Sequence, residues 1–271
     1  MCFAVIVKIR ADDLLVELGV FDSKQKAQTC IITNGLFIAG KLINKPGKQI
    51  NREDFLLNYT KDPEYLKVKN AVLEYVSRGA YKLKAAHEAW GLDFRDKTML
   101  DIGASTGGFT DYALKQGARL VLALDVGHSQ LHYKLQQDPR VINLEQVNFR
   151  YWQMPDYDFL IDVVVCDVSF ISIVTILARL KELVQSPETS RYFNPDLKIV
   201  FLLKPQFEAG KELMDKNQGV LKDPGTINQV VLLTLEKIQD LGYLLIDQIP
   251  SPIKGAKGNQ EFLLGLKLND L

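Results

Sequence analysis

The sequence has no excess of either charge and no long hydrophobic run. Its 271 residues include 33 Lys and Arg and 33 Asp and Glu, so the net charge is zero. No global field therefore draws the protein to nucleic acid or to a membrane, and any such affinity has to come from a local patch. No apolar run approaches the roughly 18 residues of a membrane helix, and the apolar start at 1–7 is too short for a signal segment. These absences predict a protein that is not inserted into a membrane.

Cysteine and histidine are also scarce. Cys2, Cys30 and Cys166 are scattered and form no C-x-x-C pair, which argues against a disulfide framework and against a zinc site. Cys30 and Cys166 lie in apolar stretches and are expected to be buried thiols, which suits a reducing, cytoplasmic location. His128 and His132 are four residues apart but lack a third nearby ligand, so no metal is predicted.

A glycine-rich segment organises the rest of the chain. Residues 101–109 read D-I-G-A-S-T-G-G-F between a short strand and a helical stretch, without the G-x-G-x-x-G of a dinucleotide site or the G-K-S/T of a P-loop. Gly103, Gly107 and Gly108 permit a tight turn and a close approach to backbone N–H groups. Asp125 ends the next strand, where a carboxylate can accept hydrogen bonds from a ribose diol. This combination favours S-adenosylmethionine (SAM), the alternative being an ordinary turn with a surface Asp.

The pattern after residue 77 predicts an α/β fold. Strands alternate with helices, which is typical of a parallel, doubly wound, Rossmann-like sheet, and the last two of the seven strands can pair antiparallel. The predicted strands are 98–102, 119–124, 140–144, 159–166, 197–203, 243–249 and 261–268. The predicted helices are 78–90, with Ser77 as its cap, 107–116, 129–137, 171–184 and 224–241.

The first part of the chain predicts a small α+β module over 8–58. Two short helices, capped by Asp12 and Ser23, precede a β-ribbon near 36–43. A compact basic module commonly docks on a phosphate backbone, although a solvated face is the simpler reading. A linker at 59–76 and a catalytic domain at 77–271 complete the predicted organisation. The residues expected to bind RNA are Arg10, Lys24, Lys26, Lys41, Lys45 and Lys48.

Four charged residues are candidates for one catalytic pocket. Asp167 and Lys204 directly follow apolar strands, where an unpaired charge is expensive to bury, while Lys82 lies early in a helix and Glu261 begins the last strand. Two lysines and two carboxylates would balance in charge and shift one another's pKa values. Such a group suits methyl transfer to an alcohol, because a lysine can accept the hydroxyl proton. Separate structural roles, such as an ion pair or a turn cap, are the alternative.

With these residues in view, the chain resembles the TlyA family, whose members were once called hemolysins. The motifs are S-R-G-A-Y-K-L, D-I-G-A-S-T-G-G-F-T-D, D-V-S-F-I-S, K-P-Q-F-E and G-N-Q-E-F-L-L, and the amino-terminal pattern resembles the alpha-L RNA-binding module. The resemblance implies an FtsJ/RrmJ-like 2′-O-methyltransferase of cytidine in ribosomal RNA, acting on rRNA or ribosomal subunits. It implies a K-D-K-E tetrad at Lys82, Asp167, Lys204 and Glu261. It implies SAM contacts at Gly103, Ala104, Ser105, Gly107, Gly108, Phe109, Asp125, Asn148 and Phe170.

Two other functions compete with this prediction. One is a non-catalytic RNA- or ribosome-binding protein with a vestigial SAM fold, which the intact glycines and all four charged residues disfavour. The other is a pore-forming hemolysin, which the lack of a spanning segment disfavours.

Overall fold

The computed structural model describes residues 7–21, 23–33, 35–59, 62, 65–68, 75–255 and 257–269. The chain divides into two compact units, Met1–Arg78 and Gly79–Leu271. Asn34, which with Gly35 is expected from the sequence to end the second helix, and Cys2 lie outside the described residues. The boundaries predicted for module, linker and catalytic domain stay a prediction.

The first unit is a small α+β assembly. Its core consists of side chains such as Leu14, Ile31, Leu36 and Phe55, all buried. The strands form an antiparallel pair, β1 with β4, and a three-stranded sheet in the order β3-β2-β5. The elements are β1 (Lys8–Arg10), α1 (Ala11–Glu17), α2 (Lys24–Thr33), β2 (Leu36–Ile38), β3 (Lys41–Ile43), β4 (Gln49–Asn51), α3 (Arg52–Tyr59) and β5 (Leu66–Val68).

Asp12 does not cap the first helix, which corrects the sequence-based expectation. Helix α1 begins at Ala11, one residue before Asp12. The buried Asp12 carboxylate instead accepts hydrogen bonds from Arg10 and Gln28, because a charge removed from water needs partners. Ser23 does cap α2, where its Oγ accepts from the N–H of Lys26 at 3.3 Å. Strand β5 falls in the predicted linker but pairs with β2.

The second unit contains the predicted seven-stranded sheet. The strand order is β11-β12-β10-β9-β6-β7-β8, with β12 antiparallel to both of its neighbours and the other pairings parallel. The expected fold class is therefore confirmed. The elements are α4 (Ala80–Trp90), β6 (Thr98–Ile102), α5 (Gly108–Lys115), β7 (Leu120–Leu124), α6 (Tyr133–Gln136), β8 (Val141–Leu144), β9 (Ile161–Cys166), α7 (Ile173–Gln185), β10 (Phe193–Leu203), α8 (Pro205–Glu208), α9 (Lys211–Lys216), α10 (Pro224–Asp240), β11 (Tyr243–Pro250) and β12 (Phe262–Leu268).

Helices cover both faces of this sheet. The central strands are buried on both sides, as expected for runs rich in β-branched residues. The core between the sheet and helices α7 and α10 includes Leu100, Leu177 and Val231, while Asp101, on the other face of β6, contacts Thr110 of α5. Both Cys30 and Cys166 are buried thiols, as predicted.

Helix α4 begins later than expected. Gly79, not Ser77, is its N-cap, and no side chain caps it. Gly91, the glycine that directly follows the predicted helix 78–90, ends the helix in the left-handed conformation.

Candidate active site

The site lies where the direction of strand addition reverses. Strands β6, β7 and β8 follow one another outward, whereas β9 returns to the other side of β6. In open α/β sheets, ligands bind at this switch point, beyond the carboxyl ends of the strands. Gly103 follows β6 and Asp167 follows β9, so the topology brings the glycine turn beside the first candidate carboxylate.

The glycine turn is a cradle that a side chain would fill. Gly103 has φ +83°, and a Cβ there would lie 2.9 Å from the carbonyl oxygen of Asp167. Gly107 has φ +94°, and a Cβ there would lie 2.3 Å from Leu135 Cδ1. Only glycine adopts such backbone conformations without strain and fits this close packing. The turn thus keeps main-chain N–H groups that no side chain screens, as a nucleoside ligand such as SAM requires.

Asp125 holds this turn from the neighbouring strand. Its carboxylate accepts hydrogen bonds from the N–H of Ser105 at 2.8 Å and of Gly127 at 2.7 Å. Each oxygen keeps a further lone pair, and the residue is half-buried, so the carboxylate can also accept from a ribose diol. These residues fit SAM.

The other predicted cofactor residues differ in exposure. Ala104, Gly108 and Phe109 are buried, so a contact from Phe109 would have to come from its main chain. Asn148 is exposed, and its Oδ1 accepts from the N–H of Arg150 at 3.1 Å. Phe170 is 92% exposed, which suits a contact with an incoming molecule better than one inside the glycine turn.

Lys82, Asp167, Lys204 and Glu261 converge on one point. The Lys82 Nζ lies 2.9 Å from Asp167 Oδ2 and 2.8 Å from Glu261 Oε2. The Lys204 Nζ lies 2.6 Å from Asp167 Oδ1 and 2.9 Å from the Oγ of Ser169. Asp167 therefore bridges two lysines that are 122 positions apart in the chain.

The electrostatics of this cluster follow from burial and pairing. Burial alone would raise the pKa of Asp167, but Lys82 and Lys204 outweigh it and hold that pKa below its usual range. Burial alone would lower the pKa of Lys82, but Asp167 and Glu261 outweigh it and raise that pKa. Lys82 and Asp167 are therefore held in their charged forms at neutral pH.

Several residues at the site escaped the sequence-based prediction. Ser169 contacts Lys204, and the ring of Phe207 lies 5.1 Å from that of Phe170, measured between centroids. Ser169 belongs to the D-V-S-F motif and Phe207 to the K-P-Q-F-E motif, so these motifs are the sequence feature from which both residues could have been predicted. Asp101, below the turn, is buried with one oxygen unpartnered, and burial raises its pKa to about 7.

The basic residues predicted to bind RNA lie in the first unit and differ in their surroundings. Arg10 binds Asp12 at 2.7 Å, and Lys24 binds Asp13 at 2.7 Å. Both are thus neutralised by nearby carboxylates. The remaining lysines are exposed, namely Lys26, Lys41, Lys45 and Lys48.

His128 and His132 do not meet as a pair of metal ligands. His128 faces Glu145 at 3.5 Å, while His132 caps α6 by accepting from the N–H of Lys134. Within the described ranges, no group of three metal-binding side chains occurs. Among the helices that the structure describes, none has both the length and the apolar character needed to cross a bilayer.

The fold and the site together define the class of protein. It is an α/β methyltransferase. The chain belongs to the FtsJ-like methyltransferase family, whose profile matches residues 75–268.

Named relatives are similar over nearly the whole chain. A Bacillus subtilis protein, provisionally named rRNA methyltransferase YqxC, is 39% identical over 260 residues, covering 96% of this chain and 85% of the relative. The 16S/23S rRNA (cytidine-2′-O)-methyltransferase TlyA of Mycobacterium tuberculosis is 36% identical over 260 residues, which are 96% of this chain and 90% of the relative. A solved structure from Streptococcus thermophilus, provisionally described as a hemolysin, is 36% identical with a TM-score of 0.75. The match covers 98% of this chain and 90% of the solved one. The resemblance to TlyA proteins is therefore confirmed.

Proposed function

We propose that this protein transfers a methyl group from SAM to the 2′-hydroxyl of a cytidine in ribosomal RNA. The observation that carries the proposal is the contact of Asp167 with both Lys82 and Lys204, directly beside the Gly103 turn. The name of the M. tuberculosis relative supports the same substrate. A ribosomal substrate implies a cytoplasmic location.

Lys204 is the proposed general base. It contacts one carboxylate and one hydroxyl, whereas Lys82 contacts two carboxylates. In its neutral form, the Nζ accepts the proton of the ribose hydroxyl, and the freed electron pair of the oxygen forms a bond to the methyl carbon. SAM, when bound, supplies this methyl group on a sulfonium, whose carbon–sulfur bond breaks readily because the sulfur leaves as a neutral thioether. Proton removal by a positioned side chain contributes roughly 10²–10⁴-fold to rate.

Lys82 and Glu261 hold Asp167 in place. Glu261 is buried and directly precedes β12, and Lys82 lies in the first turn of α4. Their ion pairs order Asp167, whose second oxygen then orients the Lys204 ammonium group. Alignment of this kind is a large part of catalysis when two reactants must meet in line.

Phe170 is the proposed platform for the target base. It is exposed, has a left-handed backbone with φ 64°, and packs on Phe207. Aromatic rings stack on unpaired RNA bases, and sequence-specific proteins bind such splayed bases. A base stacked on Phe170 would lie near Lys204, because the Nζ of Lys204 is 5.8 Å from the centre of the Phe207 ring.

Replacement of Lys204 tests the function. We expect K204M to lower methyl transfer to rRNA or ribosomal subunits by at least about 100-fold, with SAM affinity and the folded state kept. Transfer of labelled methyl from SAM, followed by mapping of the modified nucleotide, measures this. The matched control is K198M, which replaces an exposed lysine that pairs with Asp196 and lies in β10, the strand that Lys204 directly follows. Wild-type protein that binds SAM but methylates neither rRNA nor subunits would disprove the proposal.

A further inference from the structure

The carboxylate of Glu208 fastens two loops of the site together. Its Oε1 accepts from the N–H of Ile173 at 2.8 Å, and its Oε2 accepts from the hydroxyl of Ser172 at 2.6 Å. Ser172 is the N-cap of α7, where its Oγ also accepts from the N–H of Val174. Glu208, at the end of α8, thus binds the amino end of a helix from another part of the chain.

The two fastened loops present the reacting side chains. The loop from Asp167 to Ser172 begins with the carboxylate that bridges the lysines and carries Phe170 at its middle. The other segment begins with Lys204 and carries Phe207, on which Phe170 packs. The first loop is held at its start by a hydrogen bond from the N–H of Asp167 to the carbonyl of Ile102. Glu208 holds its other end.

A carboxylate suits this position better than an amide does. Both donors need an acceptor, and a carboxylate has two acceptor oxygens, whereas glutamine has one. Glu208 is half-buried, and leaving a donor unpaired in such a place is costly. Burial raises the pKa of Glu208, while the bonds from Ser172 and Ile173 act in the opposite direction.

We propose that Glu208 is a positioning residue for methyl transfer. By binding Ser172 and Ile173 it fixes the position of the loop that carries Asp167 and Phe170 relative to Lys204. This inference rests on the proposed function for its kinetic consequence, although the fastening itself can be tested without it.

Hydrogen exchange of the full-length protein tests the fastening. We expect E208Q to accelerate exchange of backbone amides at 170–174, above all that of Ile173, which donates to Glu208. S172A removes both the bond to Glu208 and the cap on Val174, so it is compared at the Ile173 amide, to which the cap makes no bond. The matched control is D223A, which removes another helix-capping carboxylate, that of α10. Exchange in both variants equal to that of wild type would overturn the proposal, and S172A keeps the test valid if E208Q does not fold.

Kinetics test the consequence for the reaction. We expect E208Q to lower kcat on RNA by about tenfold, with the dissociation constant for SAM changed less than about twofold, because the hydrogen bonds of Glu208 go to Ser172 and Ile173 and not to the glycine turn. D223A is expected to lower Tm without lowering kcat. Wild-type kcat in E208Q would overturn the positioning role. If wild-type protein methylates no RNA, the proposed function fails, and the exchange experiment alone decides whether Glu208 fastens the loop.

Discussion

At the scale of single residues, the site depends on positions where a single added atom would clash or where a single polar atom is left without a partner. Gly103 leaves no room for a Cβ beside Asp167, and Asp101 is buried below the same turn with an unpartnered oxygen. The motif D-I-G-A-S-T-G-G-F was enough to identify the turn from sequence. The shifted pKa of Asp101 was not predictable, because it depends on burial beneath α5 and on Thr110, nine residues away.

The first prediction concerns Gly103. We expect G103A to weaken SAM binding by at least about tenfold, or about 1.4 kcal/mol, because the new Cβ would meet the Asp167 carbonyl at 2.9 Å. The control is G117A, which has a similar φ of +92° but no neighbour closer than 3.6 Å. Both variants lose about 1–2 kcal/mol of stability, because an alanine is strained at these positive φ angles. Calorimetric titration with SAM checks this, and equal affinity in the two variants would contradict it.

The second prediction concerns the pH dependence of stability. Burial raises the pKa of Asp101 to about 7, whereas an unfolded Asp titrates near 3.9. Between these two pH values the folded protein keeps a proton on Asp101 that the unfolded chain releases. The contribution of this residue therefore lowers the free energy of unfolding as pH rises towards 7, and this free energy no longer changes through Asp101 at higher pH. We expect D101N to lack this slope.

Urea unfolding at several pH values measures this difference. Relative to wild type, the free energy of unfolding of D101N should rise by on the order of 1 kcal/mol per pH unit between about pH 5 and 7. It should then level off. Parallel pH profiles for the two proteins would show that Asp101 does not titrate in this range.

At the scale of elements, the parallel strands were the most predictable part of the molecule. The strand predicted at 98–102 has those bounds, and the one predicted at 159–166 is Ile161–Cys166, because apolar β-branched runs buried on both faces are recognisable locally. Strands β1, β4 and β5 were missed. Each has three residues, too few for a periodic pattern, and each exists only through pairing with a distant partner.

A third prediction tests the contact between α4, which carries Lys82, and β12, which follows Glu261. A Cβ on Gly265 would meet the Trp90 ring at 3.5 Å, an ordinary van der Waals distance. We therefore expect G265A to change stability little and G265L to cost about 1–3 kcal/mol, because the larger side chain has to displace Trp90. Methyl transfer should fall with G265L as Lys82 moves. Urea unfolding and transfer assays check both effects, and indistinguishable behaviour of the two variants would refute the explanation.

At the scale of the whole molecule, the zero net charge does not mean that charge is evenly distributed over the chain. The net charge is zero, yet exposed lysines occur in the first unit, as at the turn from Lys45 to Lys48. Their proposed role is to bind the RNA backbone while the second unit carries out the chemistry.

A fourth prediction tests that division. We expect K45A/K48A to weaken rRNA binding and to reduce the slope of log affinity against log salt by roughly 1.5, since each phosphate contact contributes about 0.7–0.9. SAM affinity should be unchanged. The control is K198A/K267A, two exposed lysines of the second unit that belong to strands β10 and β12. Filter binding over a salt series measures the slopes, and an equal loss in both double variants would contradict a specific role for the module.

The sequence by itself determined the α/β class, the glycine turn, the family and the identity of the four charged residues, because each can be recognised from short local patterns of residue types. Tertiary structure alone decided that Asp167 lies between Lys82 and Lys204, that Phe170 faces outward against Phe207, and that Glu208 reaches the amino end of α7. The physical reason is that strand order, not chain order, sets which loops share an edge of the sheet. A contact between residues 85 positions apart, such as that of Lys82 with Asp167, leaves no trace in local spacing.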